Sequence, residues 1–142
     1  MAFLVPEDYN VLIRTEIKSV LLENYSSTKL DGAENMAIAQ IKNYISGRYD
    51  IDAIFSASAE SRNAFIIMIA LDCALYHLYS SIAPNKIPEH RAERYQDALE
   101  WLKSVAKGET IADLPLLTDE GTGEEKQAIR LTSRYKLNNN KW

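Results

Sequence analysis

The sequence predicts an all-α fold: a small helical bundle of three long helices plus short N-terminal helices, followed by an extended C-terminal arm. Three observations carry this expectation. Apolar residues recur at three- and four-residue steps through residues 29–49 and 89–107, the pattern of a helix with one buried face. Within the helix expected to run to about Ile82, both faces are apolar through Phe65, Ile66, Ile67, Met68, Ile69 and Leu71, as expected of a central helix surrounded by the others. Beyond Pro115 the helical period stops and the charge pattern changes.

The elements follow in order. Pro6, Glu7 and Asp8 ahead of Tyr9 to Ile13 mark a helix start, with proline in the first turn and acids at the positive end of the dipole. Residues 15–22 read as a second short helix through Ile17, Val20 and Leu21, and residues 24–28 as a loop. Neither early helix is long enough to stand alone, so both must dock on the rest. The first long helix shows its face in Leu30, Ala33, Ala37, Ile41, Tyr44 and Ile45. Asp31 or the preceding Ser-Thr pair can cap its start, and Gly47 marks its end. Residues 49–58 have no helical period and are expected as an ordered surface loop pinned by Ile54 and Phe55.

Ser58 or Ser61 is expected to begin the central helix, which runs to about Ile82, and Pro84 and Pro88 bracket the turn after it. The last long helix is expected to bury Ala92, Tyr95, Ala98, Leu99, Leu102, Val105 and Ala106 and to stop at Gly108. Three amphipathic segments around one apolar helix give a bundle spanning residues 1–117.

Residues 118–142 form the arm. Asp119, Glu120, Glu124 and Glu125 come first, and residues 126–142 then hold five cations and no acid. The pattern in this second part alternates: Ile129, Leu131, Tyr135 and Leu137 at odd positions, Arg130, Thr132, Arg134 and Lys136 at even ones. That is the period of a strand. A lone strand after a helical bundle has no sheet of its own to join, so pairing with another subunit is its natural outlet. Arg130, Leu131, Arg134, Tyr135, Leu137 and Trp142 are the candidate interface residues.

Composition narrows the function classes. The 142 residues are 46% hydrophobic and 25% charged, which is globular. A formal charge of −4 disfavours a general nucleic-acid binder. The single cysteine, Cys73, excludes an intrachain disulfide and lies in an apolar run, where an inert packing thiol is expected. Residues 1–5 lack a basic region, so no targeting signal is expected. Asp72 and His77 interrupt the apolar run 64–83, leaving its uncharged start far short of the ~20 residues of a membrane span.

Catalytic and metal chemistry find little support. His77 has Cys73 four residues before it, but two ligands without a completing cluster do not make a metal site. His90 reads as a solvated residue at the start of the last helix. Asp72 inside an apolar helix needs a partner, which Arg48, Arg62, Arg91 or Arg94 can supply. No nucleophile–base motif and no glycine-rich phosphate loop is present. The expectation is a protein that is not an enzyme and holds no metal or cofactor.

Three stretches carry a family resemblance. Residues 37–49, AIAQIKNYISGRY, resemble a helix written A…A…I…YL..RY in the neck, or head–tail connector, proteins of Mu-like tailed phages. The apolar helix 65–79 follows in the same order. Residues 94–109, RYQDALEWLKSVAKGE, resemble that family's R..DAL.WL..IA.G ending. The resemblance covers roughly residues 3–117, and residues 130–135 are similar to the family's C-terminal extension. It departs from the family pattern at 51–63, which is longer and has no proline after Tyr49.

The resemblance implies a non-enzymatic subunit of a homo-oligomeric ring of about a dozen copies. Such a ring sits in the virion between portal and tail or neck proteins and is assembled in the host cytoplasm. DNA is then met only as it passes through the ring. The alternatives are a small helical DNA- or toxin-binding regulator with a basic arm, and an enzyme centred on Asp72 and His77.

Overall fold

The computed structural model describes residues 2–13, 27–82, 85 and 87–118. The helix expected over 15–22 and all six candidate interface residues of the arm lie outside them. Within the described residues the protein is all-α, as the sequence predicts. A 3-10 helix, Pro6–Val11, is followed by α1 (Ser27–Ile45), α2 (Ile51–Ser56), a 3-10 turn at Ala59–Ser61, α3 (Ala64–Ile82) and α4 (Glu89–Lys107). α1 and α4 both pack on α3 and on each other.

Small residues set how closely these helices approach. Ala33, Ala37, Ile41 and Ile45 repeat every fourth position along α1 and are all buried. The buried face of α3 carries Ile66, Ala70, Cys73 and Ala74, so two alanine-lined helices meet with little side chain between them. Ala98, Leu102 and Val105 close the core from α4. By length and composition Ala64–Ser81 could cross a membrane; in this fold it is the core helix, with its alanine face shut between α1 and α4.

The 3-10 helix starts at Pro6, as its proline and acids foretell, but it lasts barely two turns. Asp8 Oδ2 accepts the Val5 N–H at 2.9 Å, and Arg62 holds the same carboxylate with two nitrogens at 2.6 and 3.1 Å. Arg62 also donates to the Phe3 carbonyl at 2.8 Å, so one guanidinium fastens the N-terminal segment to the bundle. Burial raises the Asp8 pKa, but the Arg62 and Val5 hydrogen bonds outweigh it and hold the carboxyl below its ordinary value.

Helix starts are where sequence and structure differ. α1 begins at Ser27, so Thr28 and Asp31 lie inside it rather than ahead of it. The expected loop at 49–58 contains α2: Asp50 Oδ1 accepts the Ala53 N–H at 3.0 Å and caps it. Ile54 is buried and Phe55 meets Phe3 edge-on, so the pinning residues do pin. α3 begins at Ala64, not at Ser58 or Ser61, because Asn63 is the residue that caps it, accepting the Ile66 N–H at 3.0 Å.

α4 ends at Gly108, whose φ of 81° is the left-handed conformation that glycine adopts without strain. The Arg48 guanidinium lies against this glycine, and an added Cβ would collide with its Nη1. Gly108→Ala should therefore lower stability by about 1–2 kcal/mol, chiefly through the backbone because Arg48 can swing aside. The urea midpoint of the variant reads this directly.

The chain after α4 stays on the body as far as it is described. The Tyr49 hydroxyl accepts the Ala112 N–H at 3.0 Å. Asp50 N–H donates to Pro115 at 2.8 Å and Leu117 N–H to Arg48 at 3.1 Å, an antiparallel bridge between Tyr49 and Leu116. The arm thus leaves from beside the end of α1.

Candidate functional site

Asp72, singled out by sequence as needing a partner, has two of the four arginines proposed for it. Arg94 reaches it with Nη2 at 2.8 Å and Nε at 3.3 Å, and Arg91 Nη1 stands 3.6 Å away. Arg62 is committed to Asp8 and Arg48 covers Gly108. Burial raises the Asp72 pKa, and the two arginines do not fully offset it. Arg91 donates through Nη2 to the Leu12 carbonyl at 2.7 Å. The cluster therefore ties α3, α4 and the end of the 3-10 helix together, which is an architectural arrangement.

His77 lies in a polar seam between three helices. Its Nε2 is 3.0 Å from Gln40 Oε1, and Gln40 Nε2 donates to the Tyr95 hydroxyl at 3.0 Å. Tyr95 stacks flat on Tyr76 with ring centroids 3.9 Å apart. With Gln40 Nε2 turned to Tyr95, its Oε1 accepts from His77 Nε2. Burial pushes the His77 pKa down.

The sign of the pH effect follows. Below the ordinary histidine range the unfolded chain takes up a proton that the folded chain resists, so stability falls with pH through that window. His77→Gln should flatten the change in melting temperature between about pH 7.5 and 5.5 relative to the parent. Equal slopes in the two proteins would contradict this account.

Cys73 is fully buried, and desolvation pushes its thiol up to about 12. It is four residues from His77, but among the described residues no group of three or more His, Cys, Asp or Glu is placed to hold a metal. His90 is exposed in the first turn of α4.

The feature that sequence reasoning missed is apolar. Among the described residues α3 is not covered all round: Phe65 is 44% exposed, and Ile67 and Met68 are half-buried. One hollow of about 350 Å³ lies between the 3-10 helix and α3, lined by Asp8, Val11, Leu12, Ile67, Met68 and Leu71, with Ala64 at its edge. A second, of about 210 Å³, lies on the other side of Phe65, where Trp101 meets that ring edge-on and Ile111 and Leu114 complete the wall. Exposed side chains stand beside them, Val11 at 88% and Ile111 at 76%. Exposed apolar surface of this kind is the sort that folded proteins use for interaction sites or ligand-binding grooves. A signal was available: a helix apolar all round cannot be covered by two long neighbours alone.

Comparison with known proteins is specific on one point. Neither the curated proteins nor the solved structures give a match to this chain. The family described as Bacteriophage Mu, Gp36 matches residues 5–132, nearly the whole chain, running through the body and into the arm. The chain belongs to the bacteriophage Mu Gp36 family.

Proposed function

We propose that the chain is a structural subunit of the virion neck, a head–tail connector that closes into a ring between portal and tail. The observation that carries this reading is the pair of apolar hollows over the first turns of α3, a surface fit to receive another protein, in a chain of a phage Mu family. The bundle beneath it supports the same role. Asp72, Arg91, Arg94 and Arg62 are spent on fastening elements together, which suits a rigid building block. On this reading the protein performs no catalysis, its partners are portal and tail or neck proteins, and DNA passes through the ring.

Co-expression with a portal protein supplies the template on which such rings close. Native mass spectrometry or electron microscopy should then show a closed ring of about a dozen copies. A strictly monomeric protein that never co-purifies with portal or tail components would overturn the proposal. Removing residues 118–142 should leave a folded, helical body with a cooperative melt by circular dichroism, because the described core lies wholly before Thr118, while ring formation is lost. A largely unfolded truncated chain would place the boundary elsewhere.

A further inference from the structure

The body shows more apolar surface than an isolated subunit needs, and the chain carries a segment whose chemistry fits it. The two hollows flank a ridge formed by Ala64, Phe65 and Met68 on the first turns of α3. Each has an acid on its wall, Asp8 in one, where Arg62 already holds it, and the exposed Asp113 in the other. Residues 1–118 hold eleven Lys or Arg against sixteen Asp or Glu, a net −5, whereas residues 126–142 hold five cations and no acid. The body and the end of the chain are therefore opposite in sign and nearly equal in charge.

Pattern and length agree with charge. An extended stretch from Ile129 to Leu137 covers roughly 26 Å at ~3.3 Å per residue, with its apolar residues on one edge and its cations on the other. A helix with its side chains is about 10 Å across, so such a stretch reaches from one hollow over the ridge to the other. The intervening residues 119–125 bear on which body receives it. They carry four acids, and Glu109 and Asp113 are exposed near the point where the chain leaves its own body. Like charges keep that linker off any net-negative bundle, its own or a neighbour's; its seven residues span up to ~23 Å, a reach long enough to carry the arm past its own body to the next copy.

We propose that residues 126–142 of one copy lie across the first turns of α3 on the next copy, with the apolar residues of 129–137 in the two hollows and the cations over the acidic body. The contact is head-to-tail, the kind that generates rings when its rotation closes. The inference rests on the ring-subunit reading and names the surface that receives the arm.

Two tagged full-length copies test it, one Val11→Cys and the other Leu131→Cys, co-expressed with a portal protein and oxidised mildly. Cys73 stays out of the reaction because it is buried and its thiol is pushed up to about 12. The control replaces the first copy by Met36→Cys, a residue 63% exposed on α1. The 11–131 cross-linked dimer should exceed the 36–131 dimer several-fold. Adding Arg130→Glu and Arg134→Glu, or raising salt, should erase the excess. Equal yields from the two pairs overturn the proposal. So does a single chain carrying both Val11→Cys and Leu131→Cys that closes on itself regardless of dilution, since the arm would then lie on its own body. Native mass spectrometry of the same preparations separates the two levels: rings with equal cross-link yields reject this surface and leave the connector reading standing, and neither rings nor cross-links reject both.

Discussion

Replacing Asp72 by alanine should destabilise the body by about 3–5 kcal/mol, seen as a fall in the urea midpoint at unchanged slope. The carboxylate is only 3% exposed, and the Arg91 side chain beside it 9%. Among the described residues Arg91 Nη1 has no hydrogen-bond acceptor, so its 3.6 Å contact with Asp72 is the compensation they offer it for leaving water. Without the carboxylate a buried guanidinium stands uncompensated, next to the carbonyl of Leu12 that it must still hold. The effect comes from breaking the cluster, not from the intrinsic worth of an ion pair. Burial already raises the Asp72 pKa despite two arginines, which means that the charged form gains little from being inside. Asp72→Leu combined with Arg91→Met should accordingly recover most of the loss. An Asp72→Ala protein as stable as the parent would show that Arg91 reaches water by an easy rearrangement, and the architectural role assigned to the cluster would fail.

How far the molecule was legible in its sequence depends on punctuation and period. α4 is found at its expected bounds because Pro88 and Gly108 fence a long amphipathic run. α1 is found by its four-residue stripe, but its start is displaced because Ser27 and Thr28 look like loop residues and sit in a helix. α2 is six residues long, less than two turns, so it offers no period to detect; only Asp50 as a cap announces it. The candidate site was legible in a different way. Alternation and charge reversal in the arm are visible to the eye, whereas the exposed apolar surface of α3 is not. An all-round apolar helix says that every face is hydrophobic and says nothing about which face lacks a neighbour. Val11 ends a 3-10 helix of only six residues and Ile111 lies in the segment after α4, and neither offers a period from which burial can be read.

Core and rim should separate cleanly under mutation. Leu102→Ala and Ile41→Ala should each cost about 2–5 kcal/mol, since both side chains are wholly buried in the shared core. They lie on α4 and α1, the two helices that close on α3, and neither end of the bundle can collapse to fill the cavity without moving an alanine-lined contact. Small residues at Ala33, Ala37, Ala70 and Ala74 fix the helix spacing and leave little room for relaxation. Val11→Ser and Ile111→Ser remove as many or nearly as many carbons, yet should change stability by no more than about 0.5 kcal/mol, because both residues are already in water. Thermal melts of the four variants give the comparison. A rim variant that destabilises as much as Leu102→Ala would mean that its side chain is packed within its own subunit. If the expected pattern holds, Val11 and Ile111 are free to be judged on assembly alone, since any loss of ring formation in those variants cannot be traced to an unfolded body.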